Sequence, residues 1–192
     1  MKTTAMILLS HALTDWNVQQ RIQGHRDVPL NKTGRQMAGL LARRLSDLSL
    51  QAIYSSDLSR AWQTAEPTAR QKGLKIIQDM RLREGRSINQ EKDGEYPLLA
   101  FKKDWETEED VLKRMSEALG EIAEKESGKR ILVVSHAKAI ELFIRSILLN
   151  TEVDPELYLG KRSALNSLEY FGGTWKVKKL NDDDYLHEIN LF

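Results

Sequence analysis

The chain has 192 residues and no cysteine, and its 29 lysines and arginines nearly balance 28 aspartates and glutamates, giving a formal charge of +1. The lack of cysteine excludes disulfides, thiolate catalysis and cysteine-based zinc sites, and the balanced charge does not indicate a nucleic-acid-binding surface. No stretch approaches the ~18 apolar residues of a membrane span, and the first apolar run is too short for a signal peptide. We therefore expect one soluble, cytoplasmic domain over residues 1–192 with no nucleic-acid or membrane partner; the oligomeric state stays open.

The first strand is predicted over residues 5–9, where an apolar run ends at Ser10 and His11. A polar segment with the composition of a loop follows from Asp15 to Asn31. Asn31 is expected to cap a helix whose apolar side chains recur at helical spacing. That apolar stripe consists of Met37, Leu40, Leu41 and Leu45.

The second strand is predicted over residues 52–54 and leads into another helix. Asp57 is the expected N-cap of that helix, and Gly73 is its expected end. Pro67 lies inside the helical pattern, so we expect a kink or an early break, because proline lacks the N–H group and its ring collides with the preceding turn. A third strand is predicted over residues 75–78.

The second half of the chain begins with a segment, Met80 to Trp105, in which no periodic pattern holds. We interpret it as an irregular connection over the site. A helix is predicted over 108–125, a strand over 131–134, and a second, largely buried helix over 136–149.

Two alternating segments near the C-terminus, 165–170 and 175–180, flank Gly172-Gly173 and predict an antiparallel hairpin. The acidic run that begins at Asp182 is expected to be a solvated turn. Strands that alternate with helices indicate a mostly parallel sheet covered on both faces. The expected fold is therefore a three-layer α/β/α domain closed by the C-terminal hairpin.

Two histidines directly follow predicted strands: His11 comes after 5–9, and His136 after 131–134. In open α/β sheets ligands bind at the carboxyl ends of the strands, so this matched placement favours a site there. A neutral imidazole can act as a nucleophile or as an acid–base group near physiological pH. Taken singly, each histidine is also explained as a core or capping residue.

Two charged residues are placed near the same strand ends. Arg60 opens the helix after the second strand, where a guanidinium could bind a phosphate through two parallel hydrogen bonds. Glu84 lies just past the third predicted strand. Arg60 is also explained as a solvated helix charge, and Glu84 as an exposed carboxylate between arginines.

Four segments of the chain occur in a characteristic order: Thr14 to Gly34, Tyr54 to Ala65, Leu82-Arg83-Glu84 and Val134-Ser135-His136. In these segments, and over nearly its whole length, the chain resembles the histidine phosphatase (phosphoglycerate mutase-like) superfamily.

The resemblance implies a two-step phosphoryl transfer on a small phosphorylated molecule, with no metal and no cofactor. His11 would be the nucleophile and form a phosphohistidine that water then hydrolyses. Glu84 would protonate the leaving alcohol and later take a proton from water. The phosphate-binding residues would be Arg60, His136, Asn17 and Gln23.

The sequence departs from the family at the opening motif, Arg-His-Gly-Glu, which here reads Ser10-His11-Ala12-Leu13. Ser10 removes an arginine that holds the phosphoryl group, and a charge-assisted hydrogen bond contributes about 1.5–3 kcal/mol. Ala137 replaces a glycine after the second histidine, and the connection beyond Glu84 is short for the family. Lys138 could supply a compensating cation, although it is also explained as a surface lysine.

Three functions follow from this pattern. The first is a phosphomonoester phosphatase with weakened activity, because Ser10 lacks the charge of the arginine. The second is a catalytically inactive member that binds a phosphate, another anion or a partner. A phosphoglycerate mutase is the third and least favoured, because the short connection leaves little chain to exclude water from the intermediate.

Overall fold

The computed structural model describes residues 2–85, 106–149, 158 and 160–187, so most of the predicted irregular connection lies outside the described residues. The strands are β1 (Thr4–Ser10), β2 (Ala52–Ser55), β3 (Ile76–Gln78), β4 (Arg130–Ser135), β5 (Leu165–Phe171) and β6 (Thr174–Asp182). The helices are α1 (Asp15–Val18), α2 (Lys32–Arg44), α3 (Ser59–Lys72), α4 (Glu108–Lys125) and α5 (Ala137–Leu148).

These six strands form one sheet in the order β3-β2-β4-β1-β5-β6. The strands from β3 to β1 are parallel, β5 runs antiparallel to β1, and β6 runs antiparallel to β5. The turn between the last two strands uses Gly172 and Gly173, both at positive φ, which glycine adopts without steric cost. The predicted mostly parallel sheet with a C-terminal antiparallel hairpin is confirmed.

The alternation of side chains along β1 shows how the helices cover both faces of the sheet. Met6 and Leu8 lie in a buried cluster with side chains of α4 and α5, whereas Ile7 and Leu9 lie in a second cluster with side chains of α2 and α3. Successive residues of a strand point to opposite faces. The sheet is therefore the middle of three layers, as predicted.

The register of β1 with β4 places the two histidines side by side. Ser10 pairs with Ser135 at the ends of these parallel strands, and the His11 amide donates a hydrogen bond to the Ser135 carbonyl over 3.0 Å. His136 is the next residue of the chain and the N-cap of α5. The matched placement in the sequence thus becomes proximity in space.

The predicted N-cap of α3 was wrong by one residue. Leu58 occupies that position and has no side chain that could accept a hydrogen bond. Instead, the Ser59 amide donates a hydrogen bond over 2.7 Å to the carboxylate of Asp27, which lies in the loop before α2. Asp57 pairs with Arg83, so a long-range ion pair, invisible in the local pattern, replaces the expected cap.

The predicted loop from Asp15 to Asn31 begins with the short helix α1, whose N-cap is Thr14.

Two other local predictions also differ from the structure. Helix α3 continues unbroken through Pro67 to Lys72. Its inner face is buried both before the proline, at Ala65, and after it, at Ala69, and this packing holds the helix together. Asp182 is not in a solvated turn: it ends β6, is 6% exposed, and pairs with Arg44 and Lys179. Tertiary packing overrides the local signal in both cases.

Candidate active site

A cavity of about 530 Å³ is lined by residues that follow β1, β2 and β4. Six of the eight predicted site residues line it: His11, Asn17, Gln23, Arg60, Glu84 and Lys138. The other two, Ser10 and His136, are not among the lining residues and are 4% and 0% exposed. The fold therefore brings together residues from distant parts of the sequence.

The first imidazole is held by its own backbone. His11 Nδ1 lies 2.7 Å from the Ala12 carbonyl oxygen, and only a protonated nitrogen can make that contact favourable. This hydrogen bond fixes the neutral tautomer with the lone pair on Nε2. A neutral Nε2 at the cavity is the form that a nucleophile requires.

The second imidazole is in edge contact with the first, with 5.2 Å between the ring centroids. His136 Nε2 lies 2.9 Å from Ser56 Oγ, and that oxygen accepts the Leu58 amide hydrogen. A Ser56 hydroxyl that donates to Nε2 would leave the proton of His136 on Nδ1. Among the described residues, Nδ1 has no hydrogen-bond partner.

Arg60 is the largest fully buried side chain of the described chain. Its Nη1 and Nη2 donate to the carbonyl oxygens of Arg26 and Gly24 at 2.7 and 2.6 Å. Its Nε has no partner within the described part of the chain. A buried donor without a partner is costly, and an anion in the cavity is the kind of group that would satisfy it.

Burial and positive charge both disfavour protonation of the histidines. Burial, then the Arg60 guanidinium, lowers the pKa of His11 to about 3. The same two causes, in the same order, hold the pKa of His136 well below its usual value. Burial also lowers the pKa of Arg60 to about 10, which keeps the guanidinium charged at neutral pH. The site therefore combines neutral imidazoles with a fixed cation.

We expect the buried histidines to make the protein sensitive to acid. Because the pKa of His11 is about 3 in the folded chain and about 6.5 when unfolded, the unfolded state binds the extra proton between these values, and stability falls as the pH falls. Between about pH 7.5 and about pH 5, His11 alone should remove about 2 kcal/mol from the free energy of unfolding. Urea unfolding in phosphate-free buffer should show a loss that is about 2 kcal/mol smaller in His11→Asn than in the wild-type protein, because His136 is protonated on unfolding in both proteins. Equal losses in the two proteins would contradict the buried neutral imidazole.

Glu84 caps α5 from outside the helix. Its Oε1 accepts the amide hydrogens of Gly85 and Ala139, each at 3.1 Å, and its Oε2 accepts that of Lys138 at 3.2 Å. The N-cap residue, His136, makes no such bond with its side chain. The carboxylate thus satisfies orphan N–H groups at a helix start, where negative charge is favoured.

The backbone around Glu84 is fixed by α4. Arg114 donates to the carbonyl oxygens of Arg81 and Arg83, each at 2.7 Å, and to that of Glu84 at 3.0 Å. His25 Nε2 also lies 2.7 Å from the Glu84 carbonyl oxygen. Burial raises the pKa of the Glu84 carboxyl, although its amide hydrogen bonds oppose that shift. A raised carboxyl pKa is what a general acid needs.

The four remaining predicted residues differ in their surroundings. The Asn17 side chain accepts hydrogen bonds from Thr14 and forms the capping box of α1. Gln23 Oε1 is buried and has no partner among the described residues. Ser10 Oγ accepts the Ser163 amide hydrogen at 3.0 Å. Lys138 Nζ lies 3.0 Å from a carboxylate oxygen of Glu108 and 3.5 Å from one of Glu141.

A further cation that was not predicted from the sequence, Arg162, lines the same cavity. Burial lowers its pKa. It lies on the irregular segment before β5, where no local pattern marked it. Its neighbour Ser163 adopts a positive φ of 56°, which is uncommon for a residue other than glycine.

Among the described residues, one group of side chains could together hold a metal ion: Asp183, Asp184 and His187. None of the three lines the cavity. No helix in the described ranges is long and apolar enough to cross a membrane.

The fold and the site define the class of protein. The chain belongs to the histidine phosphatase superfamily (branch 1), whose family model matches residues 6–183. It is 31% identical to the uncharacterized phosphatase PhoE of Bacillus subtilis, covering 95% of this chain and 97% of that protein. It is 32% identical to phosphoglycerate mutase-like protein 4 of Arabidopsis thaliana, covering 97% and 88%. The solved structure of Bacillus stearothermophilus YhfR superimposes with a TM-score of 0.80 at 28% identity, covering 95% and 99%.

Proposed function

We propose that the protein is a phosphomonoester phosphatase that acts through a phosphohistidine on His11. One observation carries this proposal: the hydrogen bond from His11 Nδ1 to the Ala12 carbonyl leaves a neutral Nε2 beside the Arg60 guanidinium, in a cavity that also contains Glu84. The B. subtilis relative is named a phosphatase, which agrees with this reading.

In the first step, the Nε2 lone pair of His11 forms a bond to phosphorus while the bond from phosphorus to the alcohol oxygen breaks. The leaving oxygen takes a proton from the Glu84 carboxyl. In the second step, a water oxygen attacks the phosphohistidine, Glu84 accepts a proton from that water, and the P–N electron pair returns to Nε2. Free phosphate leaves, and both side chains recover their starting states.

The other groups act by binding the phosphoryl oxygens. Positioning and positive hydrogen-bond donors supply most of the catalysis in phosphoryl transfer. We assign this role to the unpartnered Nε–H of Arg60 and to Nδ1 of His136, which carries the proton when Ser56 donates to Nε2. Asn17 and Gln23 line the same cavity, and we assign them an assisting role. The substrate class is a small phosphorylated molecule.

One observation favours a second candidate, a member of the family that binds an anion without turnover. The Glu84 carboxylate accepts three backbone N–H bonds and caps α5, so its role could be structural. No observation on the described residues favours a mutase. A single domain over 1–192, a cytoplasmic location, and the absence of metal, nucleic-acid and membrane partners stay predictions from the sequence.

The covalent intermediate provides the test. After rapid mixing of the wild-type protein with p-nitrophenyl phosphate and quenching in alkali, where phosphohistidine survives, peptide mass spectrometry should find phosphate on His11. His11→Asn should carry none and should not turn over. Hydrolysis without a label on His11 would overturn the mechanism. Phosphate binding without hydrolysis would favour the second candidate.

A further inference from the structure

We propose that Arg162 binds the phosphoryl group as the second guanidinium of the site, supplied from the segment before β5 instead of from position 10. This inference rests on the proposed function, because it assigns Arg162 a role in the same phosphate site. It also changes the expectation that Ser10 weakens the enzyme.

Arg162 is placed for that role. It lines the cavity together with His11, Arg60 and Glu84, and among the described residues its guanidinium makes no hydrogen bond or ion pair. Its charge contributes to lowering the pKa of His11, and the Glu84 carboxylate opposes the lowering of its own pKa. The guanidinium therefore acts electrostatically on both the nucleophile and the acid.

Ser10 holds the segment that carries this arginine. The Ser163 amide donates to Ser10 Oγ over 3.0 Å, and Ser163 Oγ donates to the His11 carbonyl oxygen over 3.2 Å. Tyr185 fixes the other side by donating its hydroxyl hydrogen to the Ser163 carbonyl oxygen at 2.5 Å. Ser163 is thus hydrogen-bonded to the end of β1 and to His11, and the side chain of the preceding residue, Arg162, lines the cavity.

The hydrogen bonds of Ser163 also explain why a serine at position 10 accompanies an arginine at position 162. An arginine at position 10 would remove the hydroxyl that accepts the Ser163 amide hydrogen, and this amide is buried with the rest of Ser163, which is 1% exposed. A buried donor left without a partner is costly. Ser10 is therefore the anchor of Arg162 and not simply the loss of a charge.

Lys138, the cation suggested by the sequence, is less suited to the role. Its ammonium group lies within 4 Å of carboxylates of both Glu108 and Glu141, so its charge is already balanced. A guanidinium also matches the geometry of a phosphate better than an ammonium group, because it presents paired donors in one plane.

The test compares Arg162→Ala with Lys161→Ala, in the hydrolysis of p-nitrophenyl phosphate. Lys161 is the adjacent residue; its side chain is exposed and pairs with Asp183. Arg162→Ala should lower kcat/KM by about 10²-fold, in line with the loss of a charge-assisted donor to the phosphoryl group, and Lys161→Ala should not. Arg162→Lys should retain part of the activity. Millimolar guanidinium ion should partly rescue Arg162→Ala.

The Ser10→Arg variant distinguishes this proposal from the alternative that position 10 has simply lost a charge. If position 10 only lacks a charge, Ser10→Arg should raise turnover; if Arg162 supplies the second guanidinium, turnover should not rise. A gain of tenfold or more, or equal activities of Arg162→Ala and Lys161→Ala, would overturn the proposal. Should Arg162→Ala fail to fold, Arg162→Gln replaces it in the same comparison.

Calorimetric titration with inorganic phosphate keeps this inference distinct from the proposed function. If the wild-type protein binds phosphate but does not hydrolyse the ester, the proposed function fails, yet weaker binding by Arg162→Ala still supports the role of Arg162. Unchanged phosphate affinity in that variant overturns it. Activity that depends on His11 but not on Arg162 would support the proposed function and contradict the role of Arg162.

Discussion

Replacing Arg60 with methionine is expected to lower kcat/KM for phosphate monoesters by about 10³–10⁵-fold, the range typical of an arginine that stabilises a phosphoryl transition state. Methionine is a flexible apolar side chain that suits a buried position, but it carries no donor. Arg60 is fully buried, so its charge acts on the cavity with little screening by solvent. The variant loses both the cation and the Nε–H donor that has no partner among the described residues.

Arg70→Met is the matched control on the same helix. Arg70 is exposed and pairs with Glu66 one turn away, and exposed pairs of this kind contribute little to stability. Arg60→Met should also lose stability, because the carbonyl oxygens of Gly24 and Arg26 lose their donors. Phosphate affinity measured on folded protein, with folding followed by circular dichroism, separates the two effects. A fall in kcat/KM of less than tenfold would contradict the assigned role.

Replacing Glu84 with glutamine is expected to affect substrates according to their leaving group. An alkyl phosphate such as glycerol phosphate needs a proton on the departing oxygen, so its kcat/KM should fall by about 10²–10⁴-fold. The p-nitrophenolate ion leaves without a proton, so the loss with p-nitrophenyl phosphate should be much smaller. Similar losses for both substrates would indicate that Glu84 acts only as the cap of α5.

The pH profile gives a second readout of the same residue. Because burial raises the pKa of Glu84, its proton is present at low pH and is lost as the pH rises through that pKa. The kcat/KM for the alkyl phosphate should therefore decline with rising pH in the wild-type protein, and this decline should be absent in Glu84→Gln. Glu108→Gln is the control, since Glu108 lines the same cavity but pairs with Lys138.

The fold could be predicted because its signals are local and repeated. Short apolar runs marked β1 and β4, and helical spacing marked α2 and α4. The proximity of His11 and His136 also followed from the sequence, because each comes directly after a strand of a parallel sheet. Strand ends at one edge of such a sheet are brought together by the topology itself.

The parts that could not be predicted depend on contacts between distant residues. The ion pair of Asp57 with Arg83 and the capping of α3 by Asp27 produce no periodic pattern in the sequence. Arg162 was missed for the same reason: its place in the cavity depends on the bond between Ser163 and Ser10, which lie 153 residues apart.

The hydrogen bonds between Glu84 and α5 make the acid part of a helix end. A carboxylate at a helix N-terminus is stabilising by about 0.3–1 kcal/mol, and that interaction weakens when the carboxyl is neutral. Each turnover in the proposed mechanism would therefore charge and discharge the first turn of the helix that begins beside His136. The proton moved in the reaction would thus change the stability of the first turn of α5, and this local stability would follow the chemical cycle.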